Sequence, residues 1–399
     1  MYKRAALLAF WLLFFAVLGQ FSVSSVQAAA CPFIDGSVDD ADGSQDGTIT
    51  IGTNATWTAT ADNTGNFDCS GVSIHVTNGA TLSLQSYNNG DTNWTNDYGV
   101  TITTDNLQVD ADSAISGNGR GYPATTGPGE GGDGWGGAGG AGHGGRGASG
   151  NYGSGGNYYG EVIEPNQLGS GGGNGDCSAW GGAGGGLIKL VVTGEFSLEG
   201  TLKSDGNAGA PQNGCNNRGG GGGSGGSIWV VADSLSGTGA ITAKGGQGGY
   251  KTAYGGGGGG GRVYVVANDT SSFSGSFDVS GGYGQGSGQY GSALLVQENG
   301  ENDDFTFPTN SYFEAGSYAV GNLNVGEDVD LSLYPGSTEP VVFNGAGDAT
   351  LAGNSNLNGN GAGFPQMQGA GAPATNGGFY GGSGAGYGGI GGMARDAGN

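Results

Sequence analysis

"GGGGGGGRVYVVA" spans residues 255–267, where seven glycines run straight into a β-branched stretch. Either the glycines are a flexible linker that reaches a strand, or they are a built part of the fold. Three stretches compared together favour the second reading. "LIKLVVTGEFSLEGTLKSDGNAG" begins at Leu187, "SIWVVADSLSGTGAITAKGGQGG" at Ser227 and "RVYVVANDTSSFSGSFDVSGGYG" at Arg262. Each carries a β-branched strand, a short polar turn, a second short strand and then glycines. Aligned in this way, Val191, Val230 and Val265 correspond in the first strand. Leu202, Ile241 and Val279 correspond in the second, at intervals of 39 and 38 residues. "SALLVQ" at Ser292 reads as a shorter fourth copy of the first strand.

Self-similarity at a period of 20–50 residues marks a solenoid. One pair of short strands cannot bury its apolar face alone, whereas stacked copies build a continuous core. The glycine runs fall at the same point of every copy, a position a linker has no reason to keep. Glycine lets backbones approach closely, and extended helices of three residues per turn need it wherever they touch. In "GGAGGAGHGGRG", Gly136, Gly139, Gly142 and Gly145 share one such face. The predicted fold is all-β: parallel β-helix- or solenoid-like repeats with glycine-rich polyproline-II bundle insertions. The competing reading is a set of disordered glycine-rich loops.

A longer repeat frames this region. Ile74, Val76, Leu82 and Leu84 share their spacing with Leu323, Val325, Leu331 and Leu333. "SGNGRGYP" ending at Pro123 matches "NGNGAGFP" ending at Pro365, and "AGHGG" around His143 matches "AGYGG" around Tyr387. The expected organisation is a leader over 1–30, a β-solenoid segment over 31–116, the glycine-rich repeat region over 117–300, and a second β-solenoid segment over 301–399. The last segment enters a second glycine-rich region, which suggests part of a longer array.

Composition agrees with a repeat protein. The chain has 97 glycines among 399 residues, several times ordinary usage, and only 10 prolines, with no collagen register. Lys3 and Arg4, the apolar "AALLAFWLLFFAVL" and the small residues up to Ala30 form a secretory leader pattern. A membrane anchor is the alternative, but the apolar run is short for a span. Cleavage after Ala30 would leave Cys31 first and raise the question of lipid attachment. The formal net charge of −23 opposes binding to nucleic acid and anionic membranes. No second apolar span follows the leader, so the mature chain is expected to be secreted or at the cell surface.

Cys31, Cys69, Cys177 and Cys215 allow three pairings in an exported chain. Cys31–Cys69 and Cys177–Cys215 are favoured, because each separation is close to one coil and places the two residues on adjacent layers. None of the four has zinc-site spacing.

The residues also resemble a known class. "GHGGRG", "GSGGG" with "GGAGGGLIKLVV", "GGGSGGSIWVVA" and "GGGGGGGRVYV" look like a glycine-rich repeat module of large secreted or surface, adhesin-like proteins. "VSIHVTNGATLSL" is similar to strands of right-handed parallel β-helix proteins, adhesins included. The likeness covers about residues 70–300 and resumes near 320. It implies a right-handed winding and an extracellular location, and it names no ligand.

Chemistry is sparse in the sequence. His75 is expected to face solvent from a strand, and His143 to pack within the glycines. No nucleophile elbow, Walker loop or dinucleotide fingerprint is present. Asp110 with Asp112, and Glu195 with Glu199, are the candidate carboxylate pairs for a polysaccharide-cleaving β-helix, although a solvated edge is the plainer reading of each. Asp35, Asp39, Asp40, Asp42 and Asp46 crowd one acidic stretch and are the candidate ligands for calcium. A polar turn after the leader is the plainer reading, since neither the EF-type loop nor the calcium nonapeptide fits. Trp94, Tyr98, Trp135, Tyr152, Tyr158, Tyr159 and Tyr250 punctuate the polar and glycine-rich segments. They are expected to wedge glycine helices apart, ahead of stacking on sugars or anchoring interfaces.

The resulting expectation is a non-enzymatic extracellular scaffold, adhesive or structural, that self-associates into filaments or meets surface glycans or other surface proteins. A carbohydrate-binding or carbohydrate-cleaving β-helix is the alternative. Ice binding, suggested by "TITIGTNATWTAT", ranks below it because the threonines form no long array.

Overall fold

The computed structural model describes residues 29–31, 47–88, 90–176, 179–211, 219–250, 254–299, 302–314, 316–333, 341–345 and 347–358. The described residues form β-structure with no α-helix, and nearly all strand pairs are parallel.

The chain makes repeated passes through two sheets. The first three passes are β1 (Ala29–Ala30), β2 (Thr48–Ile51) and β3 (Ala55–Thr58); β4 (Asn66–Cys69), β5 (Ser73–Val76) and β6 (Thr81–Gln85); and β7 (Val100–Thr104), β8 (Leu107–Val109) and β9 (Ala114–Ser116). From there the first two strands of a pass fuse into one. The next passes are β10 (Leu187–Leu198) with β11 (Thr201–Lys203), β12 (Ser227–Gly237) with β13 (Ala240–Thr242), and β14 (Arg262–Phe273) with β15 (Ser276–Asp278), before β16 (Ser292–Gln297). The first half of β10 pairs with β7 and its second half with β8, so the fused strand spans both earlier strands. The last strand of each pass builds a 6-stranded sheet in the order β15-β13-β11-β9-β6-β3.

Alternation places the core between these sheets. Ile188, Leu190, Val230, Val263 and Val265 face inward from the long sheet and meet Leu82, Ile115, Leu202, Ile241 and Phe277 from the short one. The repeat is real, but its register needs two corrections. Val191 lies opposite Val231, and it is Leu190 that pairs with Val230 and, through it, with Val265. A slip of one residue exchanges the two faces of a strand, and Val191 accordingly points outward. In the short sheet Ile241 pairs with Phe277, two residues before Val279. The copy at Ser292 pairs along β14 as read from the sequence.

After β16 the direction reverses. β17 (Asp304–Phe307) runs antiparallel to β16 and opens a second stack. That stack contains β18 (Ser311–Phe313), β19 (Gly316–Val320), β20 (Leu323–Val325), β21 (Asp330–Leu333), β22 (Val341–Gly345), β23 (Ala349–Leu351) and β24 (Asn356–Asn358). Its pairs β17–β20–β23, β18–β21–β24 and β19–β22 are all parallel. The strands at Ile74 and at Leu323 do occupy matching places. Three residues beyond Val76, Val109, Val325 and Leu351, the backbone turns left-handed at Gly79, Asp112, Asp328 and Asn354. Gly, Asp and Asn are the residues that tolerate that corner. The matches at Pro365 and Tyr387 lie outside the described residues.

The described glycine runs leave the short sheet and return to the long one, and they are packed together. All seven glycines of 255–261 are buried, and each donates its N–H to another run. Gly256 and Gly259 donate to Ala138 and Ala141, both at 2.8 Å. Gly257 and Gly260 donate to Gly286 (3.1 Å) and Gln289 (2.9 Å). Gly255, Gly258 and Gly261 donate to Gly249, Gly246 and Ala243. Each neighbour is thus served by every third residue. A Cβ built on any of the seven would overlap a backbone carbonyl oxygen, for example that of Gly223 at Gly258.

Candidate functional site

Three places concentrate side-chain chemistry, and the first is buried. Arg262 ends the seven-glycine run and is completely enclosed. Its Nε and Nη2 donate to the Tyr159 carbonyl oxygen at 3.0 and 2.9 Å, its Nη1 donates to Ser292 Oγ at 3.3 Å, and it pairs with Glu314. Beside it lies His143, also enclosed, with its ring 4.7 Å from that of Tyr159. His143 Nδ1 sits 3.0 Å from the Gly225 carbonyl oxygen. A carbonyl only accepts, so Nδ1 carries the proton. Burial first, then the Arg262 charge, pull the imidazole down to about 3. At neutral pH it is therefore an uncharged wedge between glycine runs, as expected for His143. The same burial raises the Tyr159 hydroxyl, which donates to the Leu168 carbonyl oxygen at 2.5 Å and meets Ser170 Oγ at 2.8 Å. Every group here is occupied by a structural partner.

The second place is a cleft of about 330 Å³ on the outer face of the long sheet, lined by Thr48, Ser73, His75, Asn106, Gln108, Glu195 and Ser197, with Ile74 and Leu107. Strand register supplies its polar rows. Thr50, His75, Gln108, Ser197, Ser236 and Ser272 follow one another across adjacent strands. Threonine does not recur along that row, so it offers no threonine array. His75 faces outward from β5, as expected, and is held there by a partner. Its Nε2 lies 2.9 Å from Asp110 Oδ1, and Thr77 donates to Asp110 Oδ2 at 2.5 Å. The Thr77 hydroxyl first, then His75, hold the Asp110 carboxyl below its ordinary value.

The candidate carboxylates make separate contacts. Asp110 is tied to His75, Thr77 and Gln108, whereas Asp112 is exposed on the left-handed corner. Glu195 accepts from Ser236 Oγ at 2.5 Å, and Glu199 from Thr238 Oγ1 at 2.6 Å, each bracing the next layer. Cys31 and Cys69 form a disulfide with a Cα–Cα distance of 4.9 Å, as favoured from their spacing. Cys177 and Cys215 lie outside the described residues, as do Asp35, Asp39, Asp40, Asp42 and Asp46. Among the described residues no cluster of His, Cys, Asp or Glu could hold a metal ion, and no helix is long and apolar enough to cross a membrane.

The third place is the end of the glycine bundle away from the strands. Trp135 is 79 % exposed, Tyr152 76 %, Tyr283 73 % and Trp180 62 %, with Tyr250 and Tyr254 exposed as well. Trp135 and Tyr152 sit on turns between glycine runs, and Trp180, Tyr250, Tyr254 and Tyr283 lie at the ends of described runs. Backbone bonds set these segments side by side: Tyr152 N–H to Gly137 O, Gly134 N–H to Asn174 O, Ala210 N–H to Trp180 O and Gly248 N–H to Tyr283 O. The Tyr250 and Tyr254 rings stack, with centroids 4.0 Å apart. The expectation that aromatic residues wedge the bundle apart therefore fails for Trp135, Tyr152 and Tyr250. It fits Tyr159 within the bundle. Trp94 packs edge-on against Tyr122, Tyr98 stacks on Tyr87, and Arg146 covers Tyr158.

No protein-family model, curated protein or solved structure matches this chain.

Proposed function

We propose that the chain is a non-enzymatic extracellular scaffold with an adhesive role, exported by its leader and able to associate with copies of itself. In this reading the two stacks are right-handed parallel β-helices, and the glycine runs that join successive passes of the first stack form a polyproline-II bundle. The carrying observation is that all seven glycines of 255–261 donate to other runs with a period of three. Extended helices of three residues per turn meet their neighbours with that period, and only glycine fits where they touch. A body so braced holds its surface in fixed geometry. The occupied state of His143, Arg262, Glu195 and Glu199 supports a structural over a catalytic role.

Far-UV circular dichroism of the secreted chain through a thermal melt tests the scaffold. A single cooperative loss of β and polyproline-II signal is expected. A gradual drift would make the glycines spacers and overturn the reading. Electron microscopy at rising concentration tests self-association. Long uniform fibres are expected, and monodisperse monomers throughout would remove that part.

A further inference from the structure

We infer that the turn end of the glycine bundle is a binding surface for neutral glycans, with Trp135, Tyr152, Trp180, Tyr250, Tyr254 and Tyr283 as its stacking planes. This deepens the adhesive reading and rests on it. Six large rings gathered where neighbouring glycine runs end side by side, four of them more than three-fifths exposed, exceed the scattered apolar residues normal on a surface. Glycine makes them prominent, because the surrounding backbone has no side chains to cover a ring. An exposed aromatic face presents a flat, electron-rich plane, and the C–H face of a sugar ring is its complement.

The neighbourhood selects among occupants. Exposed Asp133, Asn151, Gln247 and Gln285 lie on or beside the same segments, so the rings stand in a polar field that offers hydrogen bonds to hydroxyls. A lipid surface or an apolar helix would need a continuous apolar face instead. The formal net charge of −23 disfavours acidic polysaccharides and anionic membranes. A neutral polyhydroxylated ligand fits both facts.

The test uses the full secreted chain against immobilised neutral oligosaccharides of gluco, manno, galacto and N-acetylated configuration. Polygalacturonate and phosphatidylcholine vesicles serve as comparisons. Binding to at least one neutral glycan is expected. The double variant Trp135→Ala/Trp180→Ala and the variant Tyr283→Ala should each weaken it about tenfold or more, as removal of interface anchors does. Tyr290→Ala, an exposed ring carried near the strand side of the bundle, should leave it unchanged. All variants should melt as the parent does, since the substituted rings are exposed. Failure to bind any neutral glycan overturns the inference. So does binding that ignores the ring substitutions, or ring-dependent binding to polygalacturonate or vesicles instead. A chain that melts cooperatively yet binds no glycan removes this inference and leaves the scaffold standing; a non-cooperative melt removes the scaffold itself.

Discussion

At Gly258 the backbone donates to Gly246 and lies so close to Gly223 that a methyl group would meet its carbonyl oxygen. Gly258→Ala should therefore cost about 1–3 kcal/mol in a thermal or denaturant melt, the range for forcing extra volume into a packed interior. Gly286→Ala is the contrast, because a Cβ there approaches only the Ala148 methyl, at 3.3 Å. It should melt close to the parent, and equal losses at both positions would contradict close backbone packing as the cause.

His143 makes a different prediction. Its ordinary value is 6.5 and burial lowers it to about 3 in the fold. Below 6.5 the unfolded chain takes up a proton that the folded chain refuses. The contribution is thus complete above 6.5 and is lost as pH falls from there toward 3, at about 1.4 kcal/mol per unit of difference. The melting temperature should hold level above pH 7 and decline through that window. His143→Gln should flatten the decline even if it lowers stability at pH 7. Arg262 is the residue that sequence reasoning passed over. Its only signal was position: one cation set between seven glycines and an apolar strand, in a chain with just 11 Lys and Arg. Its partners Tyr159 and Glu314 are 103 and 52 residues away, too far for any local pattern to announce.

Strands β14 and β16 show what alternation conveys and what it leaves out. The inner face of β14 was readable from Val263 and Val265 at alternate positions, whereas β16 sets Ala293 and Leu295 opposite them. Their outer face carries Val266, Leu294 and Val296, all buried beneath Val162, Phe305, Phe307, Phe313 and Leu331. Apolar residues on both faces signal a strand covered twice, but nothing in "SALLVQ" says what does the covering. The antiparallel turn-back at β17 was equally silent, since side chains alternate alike in either direction. Leu294→Ala should cost about 2–5 kcal/mol. Hydrogen exchange should quicken in β17 to β21, while β11 and β13 keep their protection. Uniform acceleration across both stacks would show that they open as one.

In the whole molecule, the parallel stack and the order of the glycines were legible because repetition is visible without knowing a single contact. The register was legible only to within one residue, as Val191 shows, because adjacent valines in "LVV" and "WVV" align equally well by type. The partners of each glycine run were not legible at all, for glycine carries no side chain to mark a face. The exposure of Trp135, Tyr152 and Tyr250 was not legible either, since it depends on where in the bundle each run ends.

The crowding of the glycine runs also bears on how such a gene can change. Every amino-acid replacement reachable by one base change from a glycine codon adds a side chain, and at 255–261 each would strike a backbone carbonyl. Drift is thereby shut out of the bundle. The ends of its runs carry Trp135, Tyr152, Trp180 and Tyr283 in open solvent, where substitution meets no such barrier. A lineage of this chain would keep its frame nearly fixed and spend its variation on the exposed ends, altering what it grips without altering how it stands.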